Sequence, residues 1–389
     1  MKGIKLLGLI LFVMIKSFAQ TNLPTYKVGI FAPLYLDSVF SNGKFKYKDA
    51  IPKFITPSLE FVQGSQVALD SLKLKDVNVQ AYIFDTKSYS KSIYTLINTN
   101  KLDSLQLIIG HSRDLEYKQL ADFAFKKNIP FVSVTYPNDG GIIGNPFTII
   151  MNSTLKAHCE GIYSYLLQNN PTDKLFLIRK KGSQEDKIAS YFKAVNEQEG
   201  KPLLNIQHII IDSNLTADEL VKSLDSNRKN VIIGGSLEEA FATKLSTACN
   251  ELHSSYPITL IGMPNWDGFS SLRKKDVFEE FPIYYTTPYF NNKWDSYSKQ
   301  LISAYAKKFK TKPSDMAYKG YEATLYFTNL LISHPNDFMS YLNNKSAKVF
   351  CDYNFKPVKI NKESKVPDYF ENKHLYFIKI LNGATSKAW

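Results

Sequence analysis

The side chains best placed for chemistry in this sequence are hydroxyls and small groups gathered at the ends of short apolar runs. Ser112 follows Ile108-Ile-Gly110-His111, and Ser133 closes Phe131-Val132-Ser133 with Thr135 and Tyr136 just beyond. In the second half Ser183 follows Lys181-Gly182, Ser236 follows Gly234-Gly235, and Trp266-Asp267 follow Pro264-Asn265. A hydroxyl between a strand and a helix can hydrogen-bond a carboxylate or another anion, or it can cap the helix that follows. A Trp face beside one acid suits an amine, a sugar or an aryl group. Ser112, Ser133, Thr135, Tyr136, Ser183, Ser236, Trp266 and Asp267 are therefore the candidate ligand contacts.

Catalytic constellations are weaker. Ser88-Tyr-Ser-Lys91 and Ser296-Tyr-Ser-Lys299 both match Ser-x-x-Lys, but neither Ser-Asp-Asn nor Lys-Thr-Gly accompanies them. His158-Cys159-Glu160 are adjacent, and neighbours on a helix point to different faces, so they do not form a metal-ligand set. No Gly-x-Ser-x-Gly, Walker A or Gly-x-Gly-x-x-Gly occurs. The expectation is a non-enzyme with no cofactor and no metal. His111 reads as a loop histidine, and Asp85 as an acid that bonds the turn after it.

The elements that must position these residues alternate. Tyr26–Pro33, Val79–Phe84, Leu105–Ile109 and Ile129–Val134 read as strands, separated by helical spacing at Phe61/Ser65/Ala68/Leu72, Ser92–Asn98 and Leu120/Phe123/Ala124. Small Gly64 and Ser65 would let the first helix approach a sheet closely. A long polar, aromatic loop from Leu36 to about Pro57 intervenes, and loops of that length are often functional. The rhythm restarts after Asn152: strands Leu175–Ile178, Ile206–Ile211, Asn230–Ile233 and Ile258–Ile261 alternate with helices 155–168, Glu185–Glu197, Ala217–Leu224 and Leu237–Leu252. Helices Trp294–Phe309 and Asp315–Ser333 follow, then strands Val349–Phe355 and His374–Leu381. Strand–helix repetition in two blocks predicts an α/β protein with two Rossmann-like, doubly wound lobes. In such sheets ligands sit beyond the carboxyl ends of the strands, where the candidate residues lie.

The first 20 residues have a basic start, an apolar run from Leu6 to Ile15 and a Ser17-Phe18-Ala19 end. Ten apolar residues are too few for a bilayer that needs about 20, so a cleavable signal peptide over 1–20 is expected. It has no cysteine for lipid anchoring. A periplasmic or secreted location follows, with no membrane insertion after cleavage. The 389 residues carry Lys+Arg 48 against Asp+Glu 36, a net charge of +12. That excess is scattered in short groups, which argues for solvated surface and against a nucleic-acid face. Cys159, Cys249 and Cys351 are expected to be free and buried.

The order of motifs resembles the type I periplasmic-binding-protein family, in its leucine-binding and receptor-ligand-binding branch. Val28-Gly-Ile-Phe-Ala-Pro33, Gln63-Gly-Ser-Gln-Val-Ala-Leu69, Tyr82-Ile-Phe-Asp85-Thr, Ile108-Ile-Gly110-His-Ser112 and Ile129-Pro-Phe-Val-Ser133 are similar to that family's lobe-one elements. Ile232-Ile-Gly-Gly235 and Leu260-Ile-Gly-Met-Pro264 are similar to its lobe-two strand ends. Tyr318-Lys-Gly-Tyr321-Glu-Ala323 is similar to the helix returning to lobe one, and Val349–Phe355 with Asn372–Ile380 to the closing hairpin. The resemblance implies two lobes joined by three crossing segments around a ligand cleft, with lobe one at 24–152 plus 286–345 and lobe two at 153–285 plus 346–389. It also implies a small polar ligand, an amino acid or peptide among the classes, and a membrane permease or envelope protein as partner. The alternative is a ligand-free interaction module of the same fold acting on cell-envelope machinery, as in penicillin-binding-protein activators.

Overall fold

Short runs of β-branched and aromatic residues that are apolar without alternation can be buried only when both faces of their sheet are covered. In the computed structural model, which describes residues 24–47, 50–73, 78–198, 200–211 and 215–388, they are. The leader expected over 1–20 lies outside the described residues. Strands β1 (Tyr26–Ala32), β2 (Val79–Asp85), β3 (Leu107–Gly110), β4 (Phe131–Ser133) and β5 (Thr148–Ile150) pair in parallel. Four of these are almost wholly buried, while β2, at the sheet's edge, is largely exposed until Asp85. A second parallel set holds β6 (Lys174–Arg179), β7 (Ile206–Ile210), β8 (Asn230–Gly234), β9 (Ile258–Ile261) and β10 (Ile283–Thr287).

The tail completes both sheets, which corrects the expected lobe bounds. β11 (Phe355–Val358) pairs with β12 (Tyr369–Asn372), and β12 lies parallel to β5, so residues 355–372 belong to lobe one, not lobe two. β13 (Tyr376–Leu381) runs antiparallel to β10 and carries β14 (Ala384–Lys387) at the edge of lobe two. The expected closing hairpin is thus divided between lobes: residues 349–354 are not a strand, the strand begins at Phe355 and pairs with β12, and Tyr376–Leu381 joins β10. β10 also keeps residues 286 and 287 in lobe two. The resulting orders are β11-β12-β5-β4-β3-β1-β2 and β7-β6-β8-β9-β10-β13-β14. The chain crosses between lobes three times, around 151–154, 288–295 and 373–375, as the resemblance implied.

Helices α1 (Thr56–Lys73), α2 (Ile93–Asn98), α3 (Asp114–Lys127), α4 (Leu155–Asn169), α5 (Ser183–Asn196), α6 (Ala217–Val221), α7 (Glu239–Leu252), α8 (Ser296–Phe309) and α9 (Asp315–Ser333) cover the sheets. Several starts carry side-chain caps, from Ser92, Thr154, Thr216, Asp295 and Ser314. The small face of α1 meets a helix rather than a sheet. A Cβ on Gly64 would stand 1.9 Å from Ala317 O, and one on Gly320 2.0 Å from Phe61 O. The backbones of α1 and α9 therefore touch, and Ser65 Oγ lies 3.2 Å from Gly320 O across the contact. Cys159, Cys249 and Cys351 are free and buried.

Candidate functional site

The carboxyl ends of both sheets face a cleft, and the crossing segments form its floor. An inter-lobe cavity of about 500 Å³ is lined by Tyr136 and Asp139 from lobe one, Gln184, Lys187 and Asp267 from lobe two, and Asn152 and Tyr289 from the crossings. Its wall also includes His158 and Lys319. It adjoins, through Tyr136 and Pro137, a recess of about 450 Å³ in lobe one lined by His111, Ser112, Thr135 and Phe54.

Lobe one's recess is shaped by the ends of β1, β2 and β3. Asp85 bonds its own turn through Lys87 N–H at 2.9 Å, as expected. It also does more: its carboxylate accepts from the N–H groups of Leu34, Tyr35 and Leu36 at 2.9, 3.0 and 2.7 Å. One buried acid thus turns the chain after β1 and roots the long loop that follows. At Gly110, the last residue of β3, a Cβ would stand 2.8 Å from the Phe131 ring, so a larger residue would need that ring to shift. His111 comes next, with Nδ1 2.6 Å from Thr135 Oγ1. Burial, then the charges of Lys319 and Arg113, hold its pKa down to about 4. It is neutral at ordinary pH.

Lobe two contains a parallel arrangement. His158, on α4, lies with Nδ1 2.7 Å from Thr286 Oγ1 of β10, and burial and then Lys373 lower its pKa to about 3. The crossings between these histidines are tied together. Buried Glu371 accepts from Thr154 N–H at 2.8 Å and pairs with Lys373 at 2.6 Å, while Lys373 also meets Glu160 at 3.0 Å. Burial works against the Lys373 charge, but Glu371 and Glu160 outweigh it and raise the pKa. Ser153 Oγ donates to Asn372 O at 2.6 Å, joining the first crossing to the end of β12, where the third crossing begins. Asn152 Nδ2 donates to Thr135 O at 2.8 Å, and Tyr289 donates its hydroxyl to Val134 O, so two crossings grip the loop after β4.

The candidate ligand residues separate into groups. Ser112 and Thr135 line the lobe-one recess, Tyr136 lines both cavities, and Asp267 lines the inter-lobe cavity. Ser112 Oγ is buried without a partner among the described residues and does not cap a helix. Ser133 Oγ is also buried and unpartnered but reaches neither cavity. Ser183 is exposed at the start of α5, outside the cavity that its neighbour Gln184 lines. Ser236 is buried, donating to Glu185 Oε1 at 2.7 Å and accepting from Glu238 N–H at 3.2 Å, and it faces the lobe interior. Trp266 corrects the reading of an exposed stacking face. It is fully buried, its indole N–H bonds Ser236 O at 3.0 Å, and its ring fills the space left by Gly234 and Gly262. A Cβ at those glycines would stand 2.5 and 2.1 Å from the ring.

Lys319, Lys187, His158 and Tyr289 are not among the sequence candidates. Lys319 has a visible signal, because it and Glu322 are charges set three residues apart in an otherwise largely apolar stretch of α9. His158 has none, since its partner Thr286 is 128 residues away. The Ser-x-x-Lys match at Ser88 is a turn: Ser88 Oγ donates to Asp37 at 2.8 Å and accepts from Lys91 N–H at 3.0 Å.

Comparisons with known proteins agree with this architecture. An ABC transporter substrate-binding protein from Desulfitobacterium hafniense superposes with a TM-score of 0.60 at 12% identity, covering 94% of this chain and 100% of that one. A putative branched-chain amino acid ABC transporter protein from Rhodospirillum rubrum gives 0.64 at 12% identity, with 94% and 100% covered. The LivJ substrate-binding protein of Streptococcus pneumoniae, in complex with isoleucine, gives 0.53 at 14% identity, with 94% and 99% covered. At these identities the likeness is one of fold, namely the type I two-lobed fold. No curated protein matches the sequence. Among the described residues no helix is long and apolar enough to cross a membrane. The family model described as periplasmic binding protein matches residues 58–333, well over half of the chain, and the chain accordingly belongs to that family.

Proposed function

We propose that this protein is an extracytoplasmic solute-binding protein that holds a small polar ligand between its lobes and delivers it to a membrane transporter or sensor. The carrying observation is the cavity of about 500 Å³ that takes its lining from both lobes and from the crossings between them. A molecule touching both walls stabilises the closed arrangement over the open one, and that differential contact is what shifts the population. Hydroxyl, amide and charged groups on these walls supply orientation for a ligand that is gripped and not transformed. The relatives' association with ABC transporters supports a permease as partner, and the amino acids named with some of them make amino-acid-like ligands the first class to test. Export by a cleaved leader fits the family's extracytoplasmic setting.

A thermal-shift screen against amino acids, short peptides, sugars and organic acids tests this reading. At 100 times the dissociation constant, a ligand adds about 2.7 kcal/mol of stability, a readily measured rise in midpoint. Scattering measurements on the responding ligand should show a smaller radius of gyration as the lobes close. Should no small molecule move the midpoint while an envelope protein co-purifies, the ligand-free interaction module replaces the transport reading.

A further inference from the structure

The charges around the inter-lobe cavity are unevenly committed. Its two carboxylates are occupied by the protein itself. Asp267 Oδ1 accepts from Tyr285 at 2.6 Å and meets Arg273 at 3.2 Å, while Asp139 accepts from Gly141 N–H at 2.9 Å and from Tyr369 at 3.3 Å. The ammonium groups are not so occupied. Lys319 Nζ lies 4.4 Å from the centre of the Tyr289 ring and makes no ion pair among the described residues. The acids nearest to it in charge are Asp315, Asp267 and Glu322. Asp315 pairs with Lys293 at 3.1 Å, and Glu322 accepts the N–H groups of Phe350 and Cys351 at 3.0 and 2.6 Å. Across the cavity, Lys187 of α5 lies 5.9 Å from the centre of the Tyr191 ring and makes no ion pair among the described residues. Lys156 reaches Glu160 at a loose 3.9 Å.

A half-buried ammonium set against an aromatic face with no ion pair has lost water without full compensation, and burial outweighs the more distant acids to lower the Lys319 pKa. An anion in the cavity restores that countercharge. Because Lys319 belongs to lobe one and Lys187 to lobe two, a molecule with an acid group for each would join the lobes. We infer that the cavity takes a small organic anion with two acid groups, one held by Lys319 and the other by Lys187, in preference to a neutral zwitterion; this rests on the solute-binding reading above.

Calorimetric titration of the whole protein with succinate, glutarate, glutamate, leucine and isoleucine decides it. The expected result is binding of at least one diacid more than tenfold tighter than leucine or isoleucine. Lys319→Met should then lose at least tenfold in that affinity, Lys319→Arg should stay within about threefold, and Lys187→Met should lose two- to fivefold, as fits its exposure. Raising the salt concentration should weaken the diacid and leave zwitterion binding nearly level. Leucine or isoleucine binding as tightly as the diacids, or a diacid affinity unchanged in Lys319→Met, overturns the inference while leaving the solute-binding reading in place. No binding by any probe, here or in the broader screen, sinks both. If Lys319→Met does not fold, the wild-type ranking and Lys187→Met discriminate in the same way.

Discussion

The two lobes reach the cleft by the same plan and finish it differently. Each places a neutral histidine against a threonine hydroxyl, His111 on Thr135 and His158 on Thr286. Beyond that pair the chemistry diverges. Lobe one leaves hydroxyls such as Ser112 buried without partners at its strand ends, and it contributes Lys319. Lobe two uses its strand-end groups internally: Ser236 binds Glu185, and Trp266 fills the notch left by Gly234 and Gly262. A buried polar atom without a partner is costly unless something supplies one. Lobe one therefore leaves an open hydroxyl in its own recess, while lobe two brings the unpartnered Asn265 Oδ1, with Lys187 and Asp267, to the inter-lobe cavity.

This contrast can be broken most forcefully at Trp266. Trp266→Ala should lower stability by about 3–5 kcal/mol, as removing a large buried aromatic does, with the loss read from urea unfolding. If the cost is under about 1 kcal/mol, the indole is not what lobe two is built around. In lobe one the corresponding weak point is the α1–α9 contact. Gly320→Ala puts a Cβ against Phe61 O and should cost about 1–3 kcal/mol by overpacking, again from the denaturation midpoint.

Acid should affect both lobes through their histidines. Each has a folded pKa below the ordinary 6.5, to about 4 for His111 and about 3 for His158. As pH falls below about 6.5 the unfolded chain takes up protons that the folded chain refuses, so stability is lost on acidification. The loss continues down to about pH 4 for His111 and about pH 3 for His158. Each contributes at most about 1.4 kcal/mol per pH unit within its window, and the buried His158 should approach that limit more closely. Comparing unfolding midpoints at pH 7 and 5 for wild type and His158→Gln tests it; an equal acid loss in both would rule His158 out. The smallest effect is expected at Ser133→Ala. Deleting an unpartnered buried hydroxyl should change stability by less than about 0.5 kcal/mol in either direction, whereas a clear loss would mean that the hydroxyl has a partner in solution.

The two-lobe plan is legible in the sequence because strands such as Leu107–Gly110 and Asn230–Gly234 are apolar without alternation and recur between amphipathic helices. The elements that escape are short or late. β5 has three residues, too few for any periodicity, and β10 lies between Pro282 and Pro288, where its Ile-Tyr-Tyr-Thr-Thr run is masked by the flanking prolines. Of the tail strands, Tyr376–Leu381 is recognisable, but the strand expected over Val349–Phe355 begins only at Phe355, and partners are not legible because partner choice depends on which sheet edge is open, a property of the assembled lobes. The site is legible to the same depth. Of the residues at the strand ends, Tyr136 and Asp267 line the inter-lobe cavity and Ser112 and Thr135 the lobe-one recess beside it, while Ser133, Ser183 and Ser236 line neither. Trp266 misleads because an aromatic after a strand looks the same whether it faces out or in. The two glycines near the ends of β8 and β9, which leave room for its ring, are the clue. Lys319 and His158 act through contacts distant in sequence, which no local pattern encodes.

The division of the tail between the two sheets has a consequence for how the molecule comes together. Ser153 bonds a carbonyl 219 positions further along, and β10 must wait almost a hundred residues for β13. During synthesis from the amino end, both halves stay unfinished, each with a raw sheet margin, until nearly the whole chain is available. The last thirty or so residues then seal one lobe after the other, so loss of that short terminal stretch would cripple both halves at once, and assembly should be slow compared with a protein whose neighbours in space are neighbours in sequence.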